Sequence, residues 1–327
     1  MSLALPLLAV IGGLIVLVWS ADRFVFGASA LARNLGVTPL LIGLTVVAFG
    51  TSAPEVLVSI LASVQGNPGL AVGNALGSNI TNIALVLGAT ALILPLTISH
   101  GLVWRELPIL LGASVVVLLL LLDGVLGRIE GIFLLAGLAA FTTWVILAGR
   151  RAQQTAGGTP PEFAQAQAAA VPEATPIRPA LAWLGAGLLL LLGSSQALVW
   201  GAVEIAEALG VSDLVIGLSI VAIGTSLPEL ATSVAAALRR EAGLAIGNVI
   251  GSNLFNLLAV LAIPGLLAPL TVEPAVLTRD YPMMLGLTAL LFLLALSSGR
   301  RIRRWHGALL LALFAGYLVY LAFTATP

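Results

Sequence analysis

Hydrophobic residues fill this chain in runs of about 20, separated by short polar breaks, from one end to the other. A helix of that length crosses a bilayer. The runs are rich in Leu and Ala and lack the roughly ten-residue alternation of outer-membrane strands. Their limits predict ten spans, at roughly 3–32, 38–64, 69–94, 103–122, 129–149, 180–207, 213–238, 243–267, 281–297 and 306–324. The first and sixth are long enough to require tilt. One polar stretch interrupts the series, at 150–179. Pro, Gly, Gln and Ala dominate it, so it reads as a flexible linker with little to bury. Its two acids, Glu162 and Glu173, are too few for a calcium-binding regulatory domain.

Composition agrees with an all-α polytopic membrane protein. The 327 residues are 60% hydrophobic and 9% charged, against about 25% charged in a soluble domain. A net charge of zero gives no reason to expect nucleic acid as a partner. The absence of Cys excludes disulfides and thiolate metal sites. His100 and His306 fall in loops or at span ends. No basic residue precedes Arg23, and the first run reads as a membrane helix rather than a cleaved signal.

All basic residues are Arg, and they separate by side. With the N-terminus outside, the inner loops and span ends hold Arg33, Arg105, Arg150, Arg151, Arg178, Arg239, Arg240, Arg300, Arg301, Arg303 and Arg304. The outer ones hold Arg128 and Arg279. Positive residues collect on the cytoplasmic side. Both termini are therefore expected outside and the linker 150–179 in the cytoplasm, for a multi-pass protein of the cell inner membrane.

The chain repeats itself. Residues 35–82 align without a gap on 209–256, at an offset of 174, with 25 of 48 positions identical. "GLTVVAFGTSAPE" matches "GLSIVAIGTSLPE", and "GLAVGNALGSNITN" matches "GLAIGNVIGSNLFN". The expected organisation is a first five-helix repeat over 1–149, the linker, and a second over 180–327. Five spans per half is an odd number, so the second half enters the membrane from the opposite side. Inverted repeats with breaks in corresponding helices mark secondary transporters, whose site lies near the midplane. A duplicated scaffold without transport would share the fold, but it would not concentrate identity on polar residues inside the spans.

Those polar residues are the candidate chemistry. Glu55 and Glu229 sit near the centres of the second and seventh spans, where an ionisable group costs roughly 2.5–3.5 kcal/mol on insertion scales. Pro54 and Pro228 lack an N–H, which strips the carbonyls of Gly50 and Gly224 of their helical donors. Such backbone is tolerated at membrane depth only against protein or a water-filled site. Thr51, Ser52, Thr225 and Ser226 share the broken turns, and the alternative for each is a bond back to its own helix. Asn74, Ser78 and Asn82 stand four apart on one helix face, as do Asn248, Ser252 and Asn256. The glycine pairs Gly73/Gly77 and Gly247/Gly251 read as close helix packing, and Asn79 and Asn253 as interhelical glue. Carboxylates, amide oxygens, hydroxyls and freed carbonyls are all hard donors, which suit Ca²⁺ or Na⁺ rather than zinc or copper. Two carboxylates supply the charge that one Ca²⁺ or two Na⁺ neutralise, so the two loads would compete.

The paired segments resemble the alpha repeats of the cation/calcium exchanger superfamily, at 43–88 and 217–262. The short linker makes the chain similar to the compact prokaryotic sodium/calcium exchangers. The resemblance implies that Glu55 and Glu229 bind Ca²⁺ and Na⁺ by turns. It implies that Thr51, Ser52, Ser78 and Asn82, with Thr225, Ser226, Ser252 and Asn256, complete the subsites. It also implies that the long first and sixth spans slide against the core. Some relatives carry an acid where this chain has Asn82 or Asn256, so stoichiometry does not follow from charge. Potassium dependence and proton coupling stay open within the superfamily. The reading is an antiporter that exports Ca²⁺ against an inward Na⁺ gradient, with no enzymatic activity, cofactor or obligate protein partner. An H⁺/Ca²⁺ antiporter is the nearest alternative, and a cation channel the next. Asp22 reads as a local pair with Arg23 or a snorkelling charge. Trp104, Trp144, Trp183 and Trp305 read as interfacial anchors, and Trp19 and Trp200 as packing.

Overall fold

The computed structural model describes residues 3–155, 175–209, 222–297 and 299–324. The chain is helical almost throughout. In order the helices are α1 (Ala4–Asn34), α2 (Pro39–Thr51), α3 (Ala53–Val64), α4 (Pro68–Ile93), α5 (Leu102–Leu121) and α6 (Arg128–Thr155). The second half continues with α7 (Ile177–Ala208), α8 (Ala222–Thr225), α9 (Leu227–Leu238), α10 (Ala242–Leu267), α11 (Val276–Ser297) and α12 (Arg304–Thr324). Among the described residues eight helices are long and apolar enough to span, or nine if α2 and α3 form one bent span. The expected seventh span corresponds to α8 and α9, and its start at 213–221 lies outside the described residues. Helix α6 runs on to Thr155, so the first residues assigned to the linker are helical. Most of the rest of that segment lies outside the described residues.

The breaks fall where the prolines dictate. The axes of α2 and α3 differ by 42°, with Ser52 between them at φ −81° and ψ 8°. Ser226 joins α8 to α9 at φ −92° and ψ 7°. Five wide π-helical turns also occur among the described residues. Those at Asn82–Leu87 and Asn256–Val260 both begin on the candidate asparagines, and wide turns recur at functional sites. Leu102–Glu106 and Val276–Asp280 form a second repeat-related pair, and Gly43–Val47 is the fifth.

Helices α4 and α10 are the centre: 72% and 83% of their apolar windows are buried, against 28% for α1 and α7. Gly247 and Gly251 press α10 onto α2. A Cβ on Gly247 would lie 2.7 Å from the Leu40 carbonyl, and one on Gly251 2.6 Å from that of Leu44. The packing reading therefore holds for these two. Gly73 and Gly77 meet nothing among the described residues, and the stretch equivalent to α2 falls at 213–221, outside them. Two short antiparallel ladders join the halves. One pairs Leu96–Thr97 (β1) with Arg301–Ile302 (β4), the other Val125–Leu126 (β2) with Leu270–Thr271 (β3).

Outside this centre, α1 and α7 form an antiparallel pair locked at backbone distance. Added Cβ atoms would lie 2.5 Å from Leu184 N at Gly27, 2.7 Å from Phe24 N at Gly187, 2.6 Å from Pro6 O at Gly201 and 3.0 Å from Ser194 O at Gly13. Without a hydrophobic drive between helices in lipid, close van der Waals contact holds such pairs. Gly187→Ala should force the two helices apart, an overpacking cost of about 1–3 kcal/mol. Gly12→Ala, with open space around it, should leave the thermal melt of purified protein unchanged.

The α9–α10 connection carries a buried acid. Arg240 adopts φ 62° there, where the repeat-equivalent Gly66 has φ 79°. Next to it Glu241 is 2% exposed. Burial pushes its carboxyl up to about 7, opposed by the nearby Ser29 hydroxyl and by the charges of Arg33 and Arg239. From the ordinary value of 4.5 up to about 7, the unfolded chain ionises while the folded one keeps its proton. Stability therefore falls across that window, and the whole cost is present above it. Glu241→Gln should raise the melting temperature at about pH 8 and leave it unchanged at about pH 4.

Candidate functional site

Both glutamates are completely buried, at 0% exposure, in the first turns of α3 and α9. Each broken helix places its carboxylate just beyond the proline, aimed back at the helix crossing. Glu229 Oε1 accepts from Ser52 Oγ at 3.2 Å and from Ser252 Oγ at 3.5 Å. Glu55 Oε1 accepts from Ser78 Oγ at 3.4 Å. Thr51 Oγ1 donates to Asn248 Oδ1 at 3.1 Å and lies 3.5 Å from Ser252 Oγ. Residues from the two halves thus interleave: Thr51 and Ser52 of the first reach Glu229, Asn248 and Ser252 of the second.

Two repeat-related asparagines hold the breaks in place. Asn74 Nδ2 donates to the Glu55 carbonyl at 3.0 Å and to Ser59 Oγ at 3.3 Å. Asn248 Nδ2 does the same to the Glu229 carbonyl at 3.3 Å and Ser233 Oγ at 3.0 Å. The sequence reading put Asn74 and Asn248 on the right face but gave them no role, and it passed over Ser59 and Ser233. The identity of Ser59 and Ser233 across the repeat was the available signal. Asn79 Nδ2 donates to the carbonyl of its own counterpart, Asn253, at 3.2 Å, as expected of glue between helices, whereas the Asn253 amide itself has no hydrogen-bond partner among the described residues.

The remaining donors stand without partners. Asn82 and Asn256 are fully buried, and neither amide oxygen nor nitrogen has a hydrogen-bond partner among the described residues. The same holds for Glu55 Oε2, Glu229 Oε2 and Ser226 Oγ. A buried polar atom left unpaired costs about 1–3 kcal/mol, so a concentration of them beside two carboxylates fits a polar ligand. Among the described residues no cluster of three or more His, Cys, Asp or Glu could hold a metal. The set is two acids supplemented by amides and hydroxyls, hard oxygen donors whose chemistry suits a labile cation better than a transition metal. Thr225 ends α8, half-buried beside Ser226.

One expectation is qualified by the structure and another is corrected. The Gly224 carbonyl, freed by Pro228, accepts a hydrogen bond from Ser195 Oγ of α7 at 3.1 Å. In the first half Ala21 occupies the equivalent position and has no hydroxyl to offer Gly50. Asp22 does not pair with Arg23. Its carboxylate takes two bonds from Arg239, at 2.6 and 2.7 Å. Arg23 instead lies over the rings of Trp19 and Trp183, 5.7 and 5.3 Å from their centres. Trp19 and Trp183 meet edge to face at 6.2 Å. Sequence reasoning favoured the neighbour because adjacent charges are the shortest route to neutrality, but successive helical side chains point about 100° apart.

The two classes of asparagine separate experimentally. Asn248→Ala removes made bonds and should destabilise the protein by about 1–3 kcal/mol with or without ions. Asn256→Ala and Asn82→Ala break none, so they should leave the ion-free melt near that of the parent. They should instead reduce the rise in melting temperature that Ca²⁺ produces in thermal-shift titrations.

The family profile described as sodium/calcium exchanger protein matches residues 5–147 and 179–323. The chain is 48% identical over 320 residues to a putative antiporter, CaxA, of Alkalimonas amylolytica, covering 97% of this chain and 98% of that one. It is 33% identical over 338 residues to the sodium/calcium exchanger MaX1 of Methanosarcina acetivorans, covering 94% and 96%. Among solved structures it resembles the sodium–calcium exchanger NCX_Mj soaked with Na⁺ and Sr²⁺. The TM-score is 0.82 at 35% identity, over 98% of this chain and 99% of that one.

Proposed function

The chain belongs to the sodium/calcium exchanger family, and we propose that it exports Ca²⁺ in exchange for Na⁺ by alternating access. The observation that carries this reading is the pair of fully buried glutamates on proline-broken turns, surrounded by hydroxyls and partnerless amides from both halves. Glu55 and Glu229 bind Ca²⁺ and Na⁺ in turn, since two carboxylates cannot hold both loads without excess positive charge. Thr51, Ser52, Ser78 and Asn82, with Thr225, Ser226, Ser252 and Asn256, supply the neutral oxygens. The carbonyl of Gly50, and the second lone pair of that of Gly224, are further donors. The organisation is ten spans in two inverted five-helix repeats, 1–149 and 180–327, with motifs at 43–88 and 217–262. Both termini lie outside and the linker 150–179 in the cytoplasm, following the Arg distribution. The α1–α7 pair slides against the rest, because its own contact is backbone-close while its contacts to the site run through side chains such as Leu188 against Gly50.

Purified protein in Na⁺-loaded proteoliposomes should take up radiolabelled Ca²⁺ on dilution into Na⁺-free buffer. Equal uptake driven by a pH gradient without Na⁺ would overturn the sodium reading, and repetition with and without K⁺ decides potassium dependence. Glu55→Gln and Glu229→Gln should each lower exchange at least a hundredfold, the loss of about 2.7 kcal/mol of ion interaction, while the protein still inserts. Near-parent exchange by either variant would overturn the site.

A further inference from the structure

The Asp22–Arg239 ion pair joins the α1–α7 pair to the end of α9, and its surroundings give it a role. Arg239 follows the last residue of α9, and its guanidinium also lies 5.5 Å above the ring of Phe26, one turn along α1. The two side chains are 42% and 25% exposed, so the pair is only partly shielded. Adjacent residues of α1 therefore reach in two directions. Arg23 ties α1 to α7 through Trp19 and Trp183, inside the pair of helices. Asp22 ties the same helix to the body of the protein. A shift of α1 and α7 as one unit preserves the first contact and must break the second.

The repeat shows that this tie has no counterpart at the other face. The offset of 174 places Gln196 where Asp22 would be and Gln65 where Arg239 would be. In an inverted repeat the two end states exchange the environments of the halves, so a perfectly symmetric chain would hold them at equal energy. Two glutamines offer at most a neutral hydrogen bond, whereas a bidentate Arg–carboxylate pair is charge-assisted and directional. Exchange of the two environments therefore loses an ion pair at one face and gains none at the other.

We propose that Asp22 and Arg239 are positioning residues that hold the α1–α7 pair in the register seen here and so make the two faces of the transporter unequal. The inference rests on the alternating-access reading above. The bias is thermodynamic: a population shift between registers changes the apparent affinity at each face in opposite directions. Neither residue touches the ion site, so the maximal rate of exchange need not collapse when the pair is lost.

Two readouts test this. In reconstituted vesicles, Asp22→Asn and Arg239→Gln should each change the ratio of Ca²⁺ half-saturation at the two faces about tenfold. That corresponds to about 1.4 kcal/mol between registers. The charge-swapped double variant, Asp22→Arg with Arg239→Asp, should restore the ratio. The second readout does not need transport. The chain has no Cys, so a single Ala32→Cys, at a site 1% exposed in α1, reports register through its labelling by a membrane-impermeant maleimide. Labelling should accelerate several-fold in either neutralised variant and return in the swap. Unchanged ratios and labelling would overturn the proposal. A parent protein that exchanges no Ca²⁺ for Na⁺, yet shows the labelling difference, would overturn the functional reading and leave the positioning role standing.

Discussion

A buried carboxylate beside a helix that cannot close its own hydrogen bonds is the constraint from which the rest of the architecture follows. Pro54 and Pro228 remove donors at membrane depth, and Glu55 and Glu229 add charge one residue later. Neither would survive facing lipid. Both must be enclosed by protein that supplies polar partners. Helices α4 and α10 do this, and they are accordingly the most enclosed of the eight long described helices. Their asparagines divide the labour. Asn74 and Asn248 take up the carbonyls and hydroxyls of the broken helices, which fixes the breaks. Asn82 and Asn256, two turns further on, stay unengaged among the described residues, at the start of wide π turns that displace them from the regular helical path.

Enclosure requires close approach, and glycine provides it in two places with different consequences. Between α2 and α10, Gly43, Gly247 and Gly251 bring the repeated segments of opposite halves to backbone contact. Between α1 and α7, Gly13, Gly27, Gly187 and Gly201 make one stiff pair out of the two longest helices. The first contact sets how the two halves meet beside the glutamates, and the second makes one packed unit of two helices. The two short ladders, each joining one half to the other, fasten the halves at the ends of the spans.

The repeat is close but imperfect, and the imperfections carry information. Ser195 bonds the Gly224 carbonyl where Ala21 has no hydroxyl to offer that of Gly50. Asp22 and Arg239 form an ion pair where Gln196 and Gln65 cannot. Arg240 takes a left-handed conformation that Gly66 adopts without strain. A membrane gradient has a direction, and differences of this kind are where a duplicated chain can acquire one.

Much of this was legible in the sequence because the relevant physics is local or periodic. Span lengths follow from the thickness of a bilayer, the breaks from proline's missing donor, and the donor set from residue types at a spacing of four. The repeat then doubled each signal, which is why Glu55, Glu229 and their hydroxyl and amide neighbours could be named from the chain alone. Tertiary structure alone decided which of those groups engage one another. It bonded Asn248 to the broken backbone and left the Asn256 amide without a partner among the described residues, though both look alike in sequence. It turned Asp22 away from Arg23 toward a partner 217 residues distant. Those outcomes depend on how helices from opposite halves cross, and no local pattern encodes the distance between residues brought together by folding.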